Sequence, residues 1–150
     1  MIDELLLVTA IGGHRAALPA AAISSVIEIE GIEAIPLARA PVAGLTTLRS
    51  RVLTVIDCRA ALGLTETAGT AREAVVIEVG GHGYALLVDE VRDVTPALSE
   101  PAAPRADPGP GWAAALVGMV ETASGPVLVL DPARLAVGPG PSAASGLMAA

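Results

Sequence analysis

The sequence is poor in aromatic residues: it holds no phenylalanine, one tryptophan, Trp112, and one tyrosine, Tyr84. Single-stranded nucleic acids are bound on stacked aromatic rings, and duplexes on clustered basic side chains. Nine basic residues stand against sixteen acidic ones, for a net charge of −7, so no nucleic-acid partner is expected. Cysteine is equally scarce. The single Cys58 allows no internal disulfide and no multi-cysteine metal site, and reads as an inert, partly buried thiol. Long apolar runs are missing too. The longest uncharged stretch of the patterned region, residues 108–120, is shorter than the roughly 20 residues of a spanning helix and is broken by Gly and Pro. The charge-free end, residues 135–150, is interrupted in the same way. No direct membrane insertion is expected. The opening Met1-Ile2-Asp3-Glu4 lacks the basic region of a secretory signal, which makes a cytoplasmic protein the expectation.

What is present is aliphatic. Hydrophobic residues make up 53% of the 150 positions, enough for one domain or for two very small ones sharing a core. They fall into short extended runs divided by turn signals. Residues 4–11 lead through Gly12-Gly13 into 14–18, a hairpin pattern. Residues 26–29 and 34–37 read as further extended pieces, and 45–48 and 52–56 flank Arg49-Ser50-Arg51 as a second hairpin. A short helix follows at 57–62, with Asp57 as its N-cap. The plan then repeats: 74–79, Gly80-Gly81 and 83–88, a Pro-rich linker, and a strand pair at 116–121 and 127–130. Asp131-Pro132 opens a last helix with a cap and a proline in its first turn. Residues 65–70 form a polar connection between the halves. Residues 1–137 are expected to fold, and 138–150 to be a disordered tail.

The repeat holds residue by residue. Residues 11–26 laid on 79–94 pair Gly12-Gly13-His14 with Gly80-Gly81-His82, Ala17 with Ala85, Leu18 with Leu86 and Val26 with Val94. Further on, Gly44, Ser50, Val55 and Asp57 fall on Gly118, Ser124, Val129 and Asp131. The surplus of the second half falls near residues 101–112. Two similar β units of about 65 residues would each be marginal alone and should pack together. Small sheets manage their edges by curling into barrels.

No catalytic constellation emerges. His14 and His82 occupy equivalent turn positions, and two ligands without an H-E-x-x-H pattern make a thin metal site. Ser24 and Ser25 lack a nucleophile elbow, and no phosphate-binding Gly-rich loop follows a strand. Asp57 and Asp131 read as paired caps rather than an acid–base pair, and Asp89-Glu90 as the solvated edge of an apolar strand. The expectation is a protein without catalysis, cofactor or metal. The informative difference lies between the halves. Leu48-Arg49-Ser50-Arg51 occupies the turn where the second half has Thr122-Ala123-Ser124-Gly125. A turn needs no arginine, whereas interface centres are enriched in it.

The same turn carries a family resemblance. Residues 40–59, APVAGLTTLRSRVLTVIDCR, resemble the signature of CheW-type chemotaxis adaptor domains. That signature places Gly-hydrophobic-Asn-Leu-Arg-Gly before an apolar strand ending in Asp-Leu-Arg. Residues 83–94 (GYALLVDEVRDV) are similar to its Val-Asp-x-Val strand, and Gly118 with residues 127–135 to its closing strand and helix. Residues 5–26 resemble the family's first hairpin and the short helix after it, and together the matches span about residues 5–135 in the family's order. The resemblance implies an all-β fold of two small SH3-like five-stranded barrels packed together, with short helices. It also implies a non-catalytic scaffold that couples the cytoplasmic tip of transmembrane chemoreceptors to a CheA-type histidine kinase, at membrane receptor arrays and without a cofactor. Under it, Arg49 falls on the family's coupling arginine, flanked by Leu48 and Ser50. Ile23, Ser25 and Val26 fall beside the groove where the receptor tip docks, and Gly44 on the glycine that opens the signature strand.

Several positions depart from the pattern. Ser50 replaces a glycine, so a left-handed backbone there is strained. Thr47 stands for Asn, Thr54 for Pro and Cys58 for Leu; Ala16 replaces an aromatic that the second half keeps as Tyr84, and Ser25 lacks a common acidic group. They motivate an alternative, a diverged interaction module of another motility or developmental pathway. A ligand-binding or hydrolytic barrel would need a polar pocket with perturbed titratable groups, for which the sequence offers no cluster.

Overall fold

The computed structural model describes residues 1–38, 40–64 and 72–138. The first half contributes β1 (Leu5–Ile11), β2 (His14–Pro19), a 3-10 turn (Ala20–Ala22), β3 (Ser25–Glu28), β4 (Val42–Leu48), β5 (Arg51–Asp57) and α1 (Cys58–Ala61). The second contributes β6 (Glu73–Val79), β7 (His82–Val88), β8 (Glu90–Pro96), α2 (Pro110–Ala115), β9 (Leu116–Thr122), β10 (Gly125–Leu130) and α3 (Pro132–Val137). Gly12-Gly13 and Gly80-Gly81 all take positive φ, between 59° and 82°, which is the turn geometry that matches strand twist in a two-residue hairpin.

The halves do not fold separately. One sheet has the order β8-β1-β2-β10-β9 and the other β3-β6-β7-β5-β4. Each first hairpin therefore sits among the last three strands of the other half. The registers repeat as well: Ala17 pairs with Val129 across the parallel contact of one sheet, and Ala85 with Val55 across that of the other. These are the residues the repeat superposes. No ladder joins the edge strands of either sheet. Isolated bridges instead pair β4 with the segment after β3, Glu33 to Leu45, and β9 with the segment after β8, Ala102 to Met119, so neither five-stranded sheet is a closed barrel.

The exchange accounts for the aliphatic surplus. Side chains alternate along a strand, so a strand covered on both faces is apolar throughout. Inside one sheet lie Leu53, Val55, Ala74, Val76, Ala85 and Leu87, and inside the other Leu6, Ala17, Val120, Val127 and Val129. Between the sheets the alternate residues Leu7, Ile11, Leu18, Val75, Ile77, Leu86 and Val88 meet Ile56, Trp112, Leu130 and Leu135.

Three sequence expectations are corrected. Residues 34–37 are not extended: Pro36 removes a ladder donor, and the chain turns there with Leu37 at φ 65°. The region after Val88 is not a linker from its start, because β8 occupies Glu90–Pro96. As a largely exposed edge strand bearing Glu90, Arg92 and Asp93 it lacks apolar alternation. The Pro-rich stretch ends in α2, whose proline lies in the first turn and whose Trp112 is buried. The expected connection at 65–70 and the tail beyond Gly138 lie outside the described residues. Gly138 itself caps α3 at φ 88°.

Candidate functional site

The β4–β5 turn is a two-residue connection closed by the Leu48–Arg51 pair. Arg49 and Ser50 both take left-handed conformations, φ 50° and 67°. In the equivalent turn the positive φ falls on Gly125, at 111°, and Ala123 and Ser124 are spared. Leu48 points inward against the Leu53 cluster. Arg49 is exposed and makes no hydrogen bond or ion pair among the described residues.

Arg51 behaves differently. Its guanidinium lies over Gly83, 3.1 Å from where a Cβ would stand, and reaches Glu78 at 3.4 Å. The other sheet reverses the roles: Arg15, at the place of Gly83, covers Gly125, at the place of Arg51. It donates to the Ser124 carbonyl at 3.0 Å and to Ser124 Oγ at 2.7 Å. Both turn arginines are exposed, but Arg51 is held against Gly83 and Glu78, whereas Arg49 has no hydrogen-bond or ion-pair partner among the described residues.

Gly44 is buried, and a Cβ there would overlap the Glu33 carbonyl and the Ile32 side chain. The missing Cβ admits the bridging segment at Glu33. Ser25 and Val26 are exposed on β3, while Ile23 is half-buried against the central cluster. The depression beside them is lined by Val26, Ile27, Glu28, Arg72, Glu73 and Asp89. Since β3 and β4 end opposite sides of their sheet, the expected residues form two patches. One is the Leu48-Arg49-Ser50 turn, the other the Ile23, Ser25 and Val26 edge.

Asp89 is not a solvated edge residue. Its carboxylate accepts from Arg59 Nε at 3.0 Å and Nη2 at 2.8 Å, and from the Gly12 N–H at 2.9 Å. The Arg59 hydrogen bonds, seconded by the Gly12 amide against the opposing effect of burial, hold the carboxyl below the usual range. Sequence reasoning missed this constellation, although both residues lie in the quoted signature segments. Nothing local signals that residues 30 apart meet. Glu90, in contrast, stays exposed beside Arg92.

The other residues singled out in the sequence have these surroundings. Asp57 accepts from the Arg59 and Ala60 amides and Asp131 from those of Ala133 and Arg134, so both are caps. His14 and His82 are exposed and rest edge-on against Trp112 and Tyr84, at 5.4 and 4.9 Å. Cys58 is fully buried, deeper than expected, and burial followed by Asp57 and Asp89 pushes its thiol pKa up, away from reactivity. Among the described residues no group of three or more His, Cys, Asp or Glu could hold a metal ion, and no helix is long and apolar enough to cross a membrane.

No curated protein matches the sequence. Among solved structures, the scaffolding protein TtCheW from Thermoanaerobacter tengcongensis is similar with a TM-score of 0.74. It is 20% identical, and the match covers 86% of this chain and 89% of that one. That likeness speaks for the fold. The family model for the CheW-like domain matches residues 5–138, nearly the whole described chain. The chain belongs to the CheW-like domain family.

Proposed function

We propose that this protein is a non-catalytic chemotaxis adaptor that couples the cytoplasmic tip of a chemoreceptor to a CheA-type histidine kinase, at the cytoplasmic side of receptor arrays. The observation that carries the reading is Arg49. It is exposed and, among the described residues, without a hydrogen-bond or ion-pair partner, on a turn of two left-handed non-glycine residues, where the repeat's turn places its positive φ on a glycine and has no arginine. A directed guanidinium fork held at a rigid tip suits an interface anchor. Family membership supports the same role. The Arg49 turn, with Leu48 beneath it and Ser50 beside it, is assigned to coupling with the kinase; the edge of Ile23, Ser25 and Val26 is assigned to the receptor tip.

The test is reconstitution with a kinase regulatory domain and a receptor cytoplasmic fragment. Arg49→Glu should weaken binding by about thirtyfold, the loss typical of an interface hot spot of about 2 kcal/mol. Its thermal melting should be unchanged, because no internal contact is lost. Absence of a ternary complex with every cognate pair defeats the reading. In that case a diverged module of another motility or developmental pathway becomes the better account, and gene neighbourhood identifies it.

A further inference from the structure

Strand exchange sends the chain from one sheet to the other at two equivalent places, after β2 and after β7. At the second, Asp89 is the single residue between β7 and β8. Its N–H donates to Ala10 of β1 at 3.0 Å, and its carboxylate takes the Gly12 N–H and both arms of Arg59. Gly12 belongs to the hairpin of one sheet, and Arg59 to the helix that follows β5 of the other. One carboxylate therefore joins both sheets at the crossing.

The repeat shows that the crossing does not require this. Carried through the superposition, Asp89 falls on Ala21, Arg59 on Ala133 and Gly12 on Gly80. Neither alanine offers a polar side chain, so the equivalent crossing has no such clasp. Among the described residues, such a charged clasp stands at one crossing only. The tied side is the one that matters for binding, since Asp89 and Val26 line the same depression. A bidentate arginine–carboxylate pair fixes orientation as well as distance, which a point charge does not.

We infer that the Arg59–Asp89–Gly12 clasp is a positioning device, which sets the angle between the two sheets beside β3 and thereby the shape of the receptor-facing depression. The inference rests on the reading of β3 as the receptor edge. Arg59 and Asp89 are positioning residues and need not touch the partner.

The experiment uses the full chain with spin labels on Val94→Cys of β8 and Val52→Cys of β5, both exposed and on different sheets; the buried Cys58 stays unlabelled. Asp89→Asn keeps an acceptor for Gly12 but loses the charged fork, and Arg59→Lys keeps the charge but loses its geometry. Both variants should melt cooperatively yet broaden or shift the inter-label distance distribution. Each should bind a receptor tip fragment about tenfold more weakly, a typical coupling between sites, and the kinase regulatory domain as before. An unchanged distance distribution in both variants overturns the inference, as does an equal loss toward both partners. If the unsubstituted protein binds neither probe, the functional reading fails and the distance measurement alone decides the clasp. Should Asp89→Asn not fold, Arg59→Lys decides by the same criteria.

Discussion

Replacing Ser50 by glycine should stabilise this protein, although glycine usually weakens a fold. Ser50 sits at φ 67°, a left-handed conformation that costs a residue with a Cβ roughly 1–2 kcal/mol. Glycine removes that cost but adds about 0.5–1 kcal/mol of backbone entropy lost on folding. No side-chain hydrogen bond of Ser50 is forfeited. The net gain is about 0.5–1 kcal/mol, which in a chain of this size raises the melting temperature by about 1–4 °C. The repeat supplies the control. Ala123 is exposed in the equivalent turn and is not left-handed, so Ala123→Gly meets the entropy term alone and should lose about 0.5–1 kcal/mol. Urea unfolding followed by the fluorescence of the buried Trp112 measures both, with thermal melts alongside. Opposite signs are required. If the two glycines move stability in the same direction, backbone strain at Ser50 is not what distinguishes these turns.

Three further outcomes follow from the geometry. Gly44→Ala drives a methyl into the Glu33 carbonyl and Ile32, and the urea midpoint should fall by the equivalent of about 1–3 kcal/mol. Cys58 should resist an aromatic disulfide reagent in the native state and react only at the rate of unfolding, because its thiol is buried and its pKa is raised. The Asp89 carboxyl titrates below its unfolded value, so its contribution is complete above the usual carboxylate range, near pH 4, and is lost as pH falls through the folded value. Acid unfolding of Asp89→Asn should therefore be shallower than that of the unsubstituted protein; identical acid limbs would refute the pairing in solution.

Local features were legible in the chain itself. The Gly-Gly hairpins, the two aspartate caps and the Arg49 turn each depend on residues within a few positions of one another, and each was found where its residues stand. The repeat was legible as well, and carried far enough it contained β8, since Val94 lies on Val26 of β3. What was not read there was an edge strand whose exposed charges erase the alternation that marks a half-buried one.

Sequence alone determined that there would be two related β units, because turn chemistry and apolar periodicity act over short range. It did not determine which strands would share a sheet. Alternation says which side chains face a core, but not whose core. Only tertiary packing decided that each leading hairpin crosses into the other half, which buries both faces of the central strands and turns an apolar excess into a shared interior. Packing also decided the fate of the charges. It placed Arg51 over a glycine of β7, closed Arg59 on Asp89 at one crossing only, and left Arg49 facing solvent. Electrostatic partners are chosen by distance in space, and a sequence records only distance along the chain.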